Sequence, residues 1–167
     1  PGRKAGTTAL EFAVTPLHLW ATATRLVGDD LPAPEATGGR PWSVTRFWAR
    51  GDARTTKMAF EWNEADGSRW KVNLPLTTEW KEYVLTPGDF FYWPDNPSVG
   101  RGGLGDRFHP ERARSLQLGL ALDIVERDQP HSFQIADLRV QADPLSDLRQ
   151  PARCLNTRVA KIGRAHV

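Results

Sequence analysis

The chain of 167 residues carries 22 Lys and Arg against 20 Asp and Glu, a formal net charge of +2, with 40% hydrophobic residues and seven tryptophans. That length fits one domain with a core of its own, so neither metals nor disulfides are needed to hold it together, and the single Cys154 excludes an intramolecular disulfide and a cysteine-based zinc site. A nucleic-acid partner would call for a basic excess and a membrane span for about 20 apolar residues in a row, and the sequence offers neither.

Residues 7–16, TTALEFAVTP, alternate apolar and polar positions and read as a first strand. Residues 29–41, DDLPAPEATGGRP, are a loop by composition, and 42–51, WSVTRFWARG, form a strand rich in aromatic and β-branched residues. The strongest local signal is KMAFEWNEADGSRWKVNLPL at 57–76, in which Met58, Phe60 and Trp62 alternate, and then Trp70, Val72 and Leu74. Opposed residues must share a face. Pairing Trp62 with Trp70, Phe60 with Val72 and Met58 with Leu74 satisfies that rule, whereas a slip of one residue would set Trp62 against Lys71. This register leaves a three-residue loop, Ala65-Asp66-Gly67, with glycine where the left-handed residue of such a turn belongs.

Another strand, EWKEYVL at 79–85, precedes Pro87-Gly88. Next comes a run with Gly100, Gly102 and Gly105 at the G-x-G-x-x-G spacing of dinucleotide-binding loops. That reading needs a strand before the first glycine and a helix at the last. Here WPDNPSV precedes the run and DRFHPER follows it, so the glycines read as a surface loop whose backbone needs positive φ. About 25 residues lie between the flanking strands, more than an unstructured connection usually holds, and Phe90, Phe91, Tyr92, Trp93 and Phe108 argue for an ordered loop against the body. In SLQLGLALDIV at 115–125, Leu116, Leu118, Leu120, Leu122 and Ile124 form one period-2 row, which is β rather than helical. In HSFQIADLRV at 131–140 the row Phe133, Ile135 changes parity to Leu138, Val140, which predicts a bulge near Ala136-Asp137. The pattern predicts an all-β sandwich over residues 1–141. A linker or the start of another unit follows at 142–160. The last residues, 161–167, end in IGRAHV, which resembles the translation of a common sequencing-library adapter, and the chain begins at Pro1 with no signal peptide, so a fragment open at both ends is expected. Without Lys161 and Arg164 the charged residues number 20 and 20 and the net charge is zero.

VTRFWARGD, EWNEADGSRW, TTEWKEYVLTPGDF and FQIADLRV, in this order and at these spacings, resemble the galactose-binding-like jelly-roll domains related to family 11 carbohydrate-binding modules. The resemblance covers roughly residues 7–141 and implies a jelly-roll β-sandwich of two antiparallel sheets. It further implies a non-catalytic module of a larger, secreted or cell-surface polypeptide, whose partners are a polysaccharide or oligosaccharide and a covalently linked catalytic or cell-surface domain. Such domains often hold a structural calcium. Asp137 matches the second of the paired acids common in their closing strand, although Ala136 replaces the first, which makes Asp137 the candidate calcium ligand.

Sugar binding needs flat aromatic faces and planar polar side chains. The outward rows supply Glu61, Asn63, Arg69, Lys71, Asn73, Gln117 and Asp123, with Ala59, Gly119 and Ala121 leaving room above the backbone. The long loop supplies Trp93 as a stacking platform, with Tyr92, Asp95, Arg101, Asp106, Arg107 and His109 beside it. The expected ligand-binding set is therefore Trp93, Tyr92, Asp95, Arg101, Asp106, Arg107, His109, Glu61, Asn63, Lys71 and Gln117. Each has a plain structural alternative: Trp93 plugging the core, Asp95 and Asp106 pairing with Arg101 and Arg107 to close the loop, Glu61 and Lys71 forming a cross-strand pair. No hydrolase or metalloprotease motif occurs and the histidines lie on separate elements, so no catalytic residues are expected. The alternative function is a structural or interdomain sandwich that binds no sugar.

Overall fold

The computed structural model describes residues 4, 8–27, 31, 42–94 and 100–142. The linker expected beyond residue 142 and the tail at 161–167 lie outside these described residues. Among the described residues there are nine strands: β1 (Leu10–Val14), β2 (Trp20–Leu26), β3 (Val44–Gly51), β4 (Lys57–Glu64), β5 (Arg69–Pro75), β6 (Lys81–Leu85), β7 (Phe91–Tyr92), β8 (Ala113–Ala121) and β9 (His131–Gln141). They form two antiparallel sheets, one in the order β1-β9-β3-β6 and the other β2-β8-β4-β5-β7, packed as a jelly-roll sandwich. The described residues include no α-helix, only single 3-10 turns at Pro87–Asp89 and Pro110–Arg112.

The β4–β5 hairpin has the register that apolar matching dictates, with Trp62 opposite Trp70, Phe60 opposite Val72 and Met58 opposite Leu74. Glu64 and Ser68 close the three-residue loop through a backbone bond of 2.9 Å, and Gly67 takes φ 84° at its end. Between the sheets lies an aromatic core. Trp62 stacks on Phe108 at 6.0 Å, Phe47 stacks on Phe60 at 5.1 Å and on Tyr83 at 5.4 Å, and Phe90 joins Phe60 to Phe108. Buried tryptophan N–H groups need partners. That of Trp62 donates to Thr45 Oγ1 at 3.1 Å and that of Trp70 to Ser68 Oγ at 3.3 Å. Phe90 and Phe108, both from the long loop, are buried here, so the loop is part of the sandwich.

The parity change in β9 is a bulge. Arg46 pairs with Arg139 but Trp48 with Ala136, which leaves an extra residue on β9, and Asp137 absorbs it at φ 55°. Three elements differ from the sequence reading. Strand β8 stops at Ala121, because Ile124 and Val125 bond back to the Ala121 carbonyl in a turn, although Leu116, Leu118 and Leu120 are buried as one row. The two-residue β7 extends the second sheet from within the long loop. Strand β2 is the third: its core-facing row is Ala21, Ala23 and Arg25, small or charged, so WATATRL shows no buried apolar alternation. Its large residues, Trp20 and Leu26, point outward instead.

Candidate functional site

The outer face of the five-stranded sheet is ordered by its registers into transverse rows. One row runs Thr22, Gly119, Ala59, Asn73; the next runs Thr24, Gln117, Glu61, Lys71, Phe91; a third runs Leu26, Ser115, Asn63, Arg69. Trp93 donates its backbone N–H to the Arg69 carbonyl at 2.8 Å, which continues the β7 pairing and puts its ring on the same face. The small residues Ala59, Gly119 and Ala121 lower the floor, and the result is a groove of about 490 Å³. Its walls are Trp20 and Thr22 of β2 at one edge and Trp93 at the other, with Glu61, Arg69, Lys71 and Gln117 between them.

The charges on this floor are matched. Both Glu61 oxygens accept from Arg69, from Nε at 2.7 Å and Nη2 at 2.9 Å, a bidentate pair that holds two planar side chains against the sheet. Lys71 reaches the other way. Its ammonium lies 3.3 Å from Asp123 Oδ2 and 4.3 Å from the centre of the Trp93 ring, so a cation–π contact fixes the indole. Glu61 and Lys71 are register partners, yet each makes its ion pair elsewhere. Two buried amide oxygens on this face, Asn63 Oδ1 and Asn73 Oδ1, have no hydrogen-bond partner.

Of the expected ligand-binding residues, Trp93, Glu61, Lys71 and Gln117 line the groove together. Asn63 shares the face and donates to Ser115 Oγ at 3.0 Å. Tyr92 turns inward and meets Trp70 edge-on at 5.6 Å. The polar loop residues sit elsewhere, locking the loop to the β4–β5 hairpin. Arg101 bonds Glu64 at 2.7 Å, Asp66 at 2.6 Å and Asp106 at 2.9 Å, its guanidinium lying 5.3 Å from the Trp70 ring. Arg107 gives its carbonyl to Arg101, and the His109 backbone N–H donates to Glu64 at 2.7 Å. The Arg107 and His109 side chains line a separate hollow with Trp42 at one end of the sandwich. Asp95 lies outside the described residues. Trp20 and Thr22 were missed by the sequence reading; the available signal was a large aromatic alternating with threonines against a small-residue row.

Asp137 stands exposed in the bulge, and among the described residues no three His, Cys, Asp or Glu side chains cluster.

Two expectations follow from this geometry. Gly119 is fixed by close approach, since a Cβ there would stand 2.5 Å from the Ala21 carbonyl oxygen and 2.7 Å from Thr22 Cγ2. Gly119→Ala should displace β2, cost about 1–3 kcal/mol and disturb the Trp20 wall, read by thermal unfolding and ligand titration. The second concerns acid. Partial burial opposes ionisation of Asp66, but bonds from Ser68 and Arg101 outweigh it and hold the group at about 2, while Arg101 above all holds Asp106 at about 2, against an ordinary 3.8. The unfolded chain binds more protons than the fold between these values, so this stabilisation is complete above about pH 4 and is lost as pH falls toward 2. Urea midpoints at pH 7, 5 and 3 should show the decline below pH 4.

No family model and no curated protein matches the chain. Solved structures do. The family 11 carbohydrate-binding module from Clostridium thermocellum, in complex with a β-1,3-1,4-mixed-linked tetrasaccharide, is similar at 11% identity and TM-score 0.55, over 82% of this chain and 85% of that one. The family 30 module of a cellulosomal cellulase of the same organism is similar at 12% identity and TM-score 0.51, over 84% and 78%. An exo-β-agarase matches at 10% identity and TM-score 0.53 over 81% of this chain, which spans 20% of that enzyme. The fold is the jelly-roll sandwich these proteins share.

Proposed function

We propose that the chain is a non-catalytic carbohydrate-binding module that holds a polysaccharide in the groove across its five-stranded sheet. The observation that carries this reading is the pair of tryptophans at opposite edges of the sheet, bracketing a polar floor. Indole faces suit the apolar faces of pyranose rings, and the Glu61–Arg69 pair and Gln117 offer fixed donors and acceptors to hydroxyls. The groove carboxylate Glu61 and the neighbouring Asp123 are each engaged by a cation, an arrangement suited to positioning a sugar rather than protonating a glycosidic oxygen. The family 11 neighbour, described in complex with a mixed-linked β-glucan fragment, supports β-glucans as the first ligands to try. In this reading the module is extracellular and serves a linked catalytic or cell-surface domain.

Affinity electrophoresis of the full chain against β-glucans, xylans, galactans and mannans tests it. Retardation by at least one neutral polysaccharide is expected. A folded protein that moves freely through all of them would overturn sugar binding and favour the interdomain scaffold.

A further inference from the structure

The opposite face of the sandwich sets two arginines side by side. On the outer side of the four-stranded sheet the registers place Arg50 beside Gln134, Trp48 between Ala136 and Glu82, and Arg46 between Arg139 and Val84. Trp80 adjoins Arg50, whose guanidinium lies 5.0 Å from its ring. In the groove every cation named above faces a carboxylate. Here two arginines, Arg46 and Arg139, oppose each other directly across β3 and β9, a juxtaposition that destabilises a sheet unless an anion is shared between them. The buried Arg46 Nε lies 3.4 Å from Glu82 Oε1, an ion pair without a hydrogen bond, and Arg50 spends its Nε on the neutral Gln134 at 2.9 Å. Counting Glu11, the register partner of Gln134, and Asp137 at the bulge with Glu82, the face holds three arginines and three acids, but it is two arginines that stand directly opposite each other, with two indoles among them.

We propose that this face is a second binding surface, for an anionic polysaccharide whose carboxylate or sulfate groups bridge Arg46 and Arg139 while its rings rest on Trp48 and Trp80. Guanidinium forks bind planar carboxylates and sulfates, and the neighbouring indoles favour a pyranose polymer over a small anion. The surface is separate from the groove, so its failure leaves the groove reading untouched and the reverse also holds.

The test is affinity electrophoresis of the full chain at low salt in alginate, a uronate polymer, and in a sulfated galactan, with neutral agarose and double-stranded DNA as comparators. Retardation by one or both anionic glycans is expected, the two gels separating carboxylate from sulfate as the bridging group, and it should weaken as salt screens the contact. R46Q/R139Q should lower that affinity at least tenfold while its melting temperature stays level or rises, because the like-charge opposition is gone; a purely structural pair would show a lower melting temperature instead. Trp20→Ala should leave this binding unchanged. No retardation in either anionic glycan, retention undiminished in R46Q/R139Q, or equal retention by DNA would each overturn the proposal.

Discussion

Arg101→Ala should destabilise the domain by about 3–5 kcal/mol, the cost of leaving a buried charge without its partner. The reason is Glu64, whose side chain is 0% exposed and whose two oxygens are satisfied by Arg101 and by the His109 backbone N–H. Arg101 also gathers Asp66 and Asp106 and covers Trp70, so its loss frees three carboxylates within one small volume. For a domain of this size the melting temperature should fall by roughly 10–20 °C. A lysine cannot replace the fork: Arg101→Lys reaches one or two of the acids and should recover only part of the loss. The double variant Arg101→Met/Glu64→Gln, which removes the buried charge with its partner, should be more stable than Arg101→Ala alone. A double variant no more stable than the single one would show that the arginine's packing, not the buried charge, carries the effect.

Trp20→Ala should weaken glycan binding roughly 30-fold, the loss of about 2 kcal/mol typical of an aromatic anchor, with stability changed by less than about 0.5 kcal/mol. Trp20 is 69% exposed on an edge strand, so its ring contributes little to the core and its removal leaves the fold alone. Trp93→Ala is a less clean variant. The Lys71 ammonium rests on that indole, and removing it frees a lysine that is itself almost fully buried. Isothermal titration with the retained glycan separates the two: Trp20→Ala should lose affinity at constant melting temperature, Trp93→Ala should lose both.

The hairpin at β4–β5 was legible to the residue because two apolar rows of three admit only one in-phase pairing, and the β9 bulge because a parity change has no other cheap explanation. Strand β2 was not legible. A row of alanines and an arginine faces inward there, and what makes it a strand is hydrogen bonding to β8 from about 95 residues away, a tertiary cause that no local pattern announces. The same limit acted on the site. Glu61, Lys71 and Gln117 could be placed on the outer face by counting along strands, and they share the groove. Arg101 and Asp106 looked equally suited to a ligand by composition, but Asp106 is taken by Arg101, and the other acids Arg101 answers, Glu64 and Asp66, stand across a fold that brings residues 35–37 positions apart into contact. Residue chemistry marks a polar loop; only the pairing decides whether it faces solvent or its own hairpin.

The central claim, a neutral glycan lying across the five-stranded sheet, is tested most directly by heteronuclear NMR of the labelled chain titrated with an oligosaccharide from the polysaccharide that retains it. Shifts at the indole N–H groups of Trp20 and Trp93 and at the amides of Glu61, Gln117 and Gly119, with Trp48 and Trp80 unmoved, are the predicted result. Saturable shifts confined to the hollow around Trp42 and His109, or to the four-stranded sheet, would contradict it.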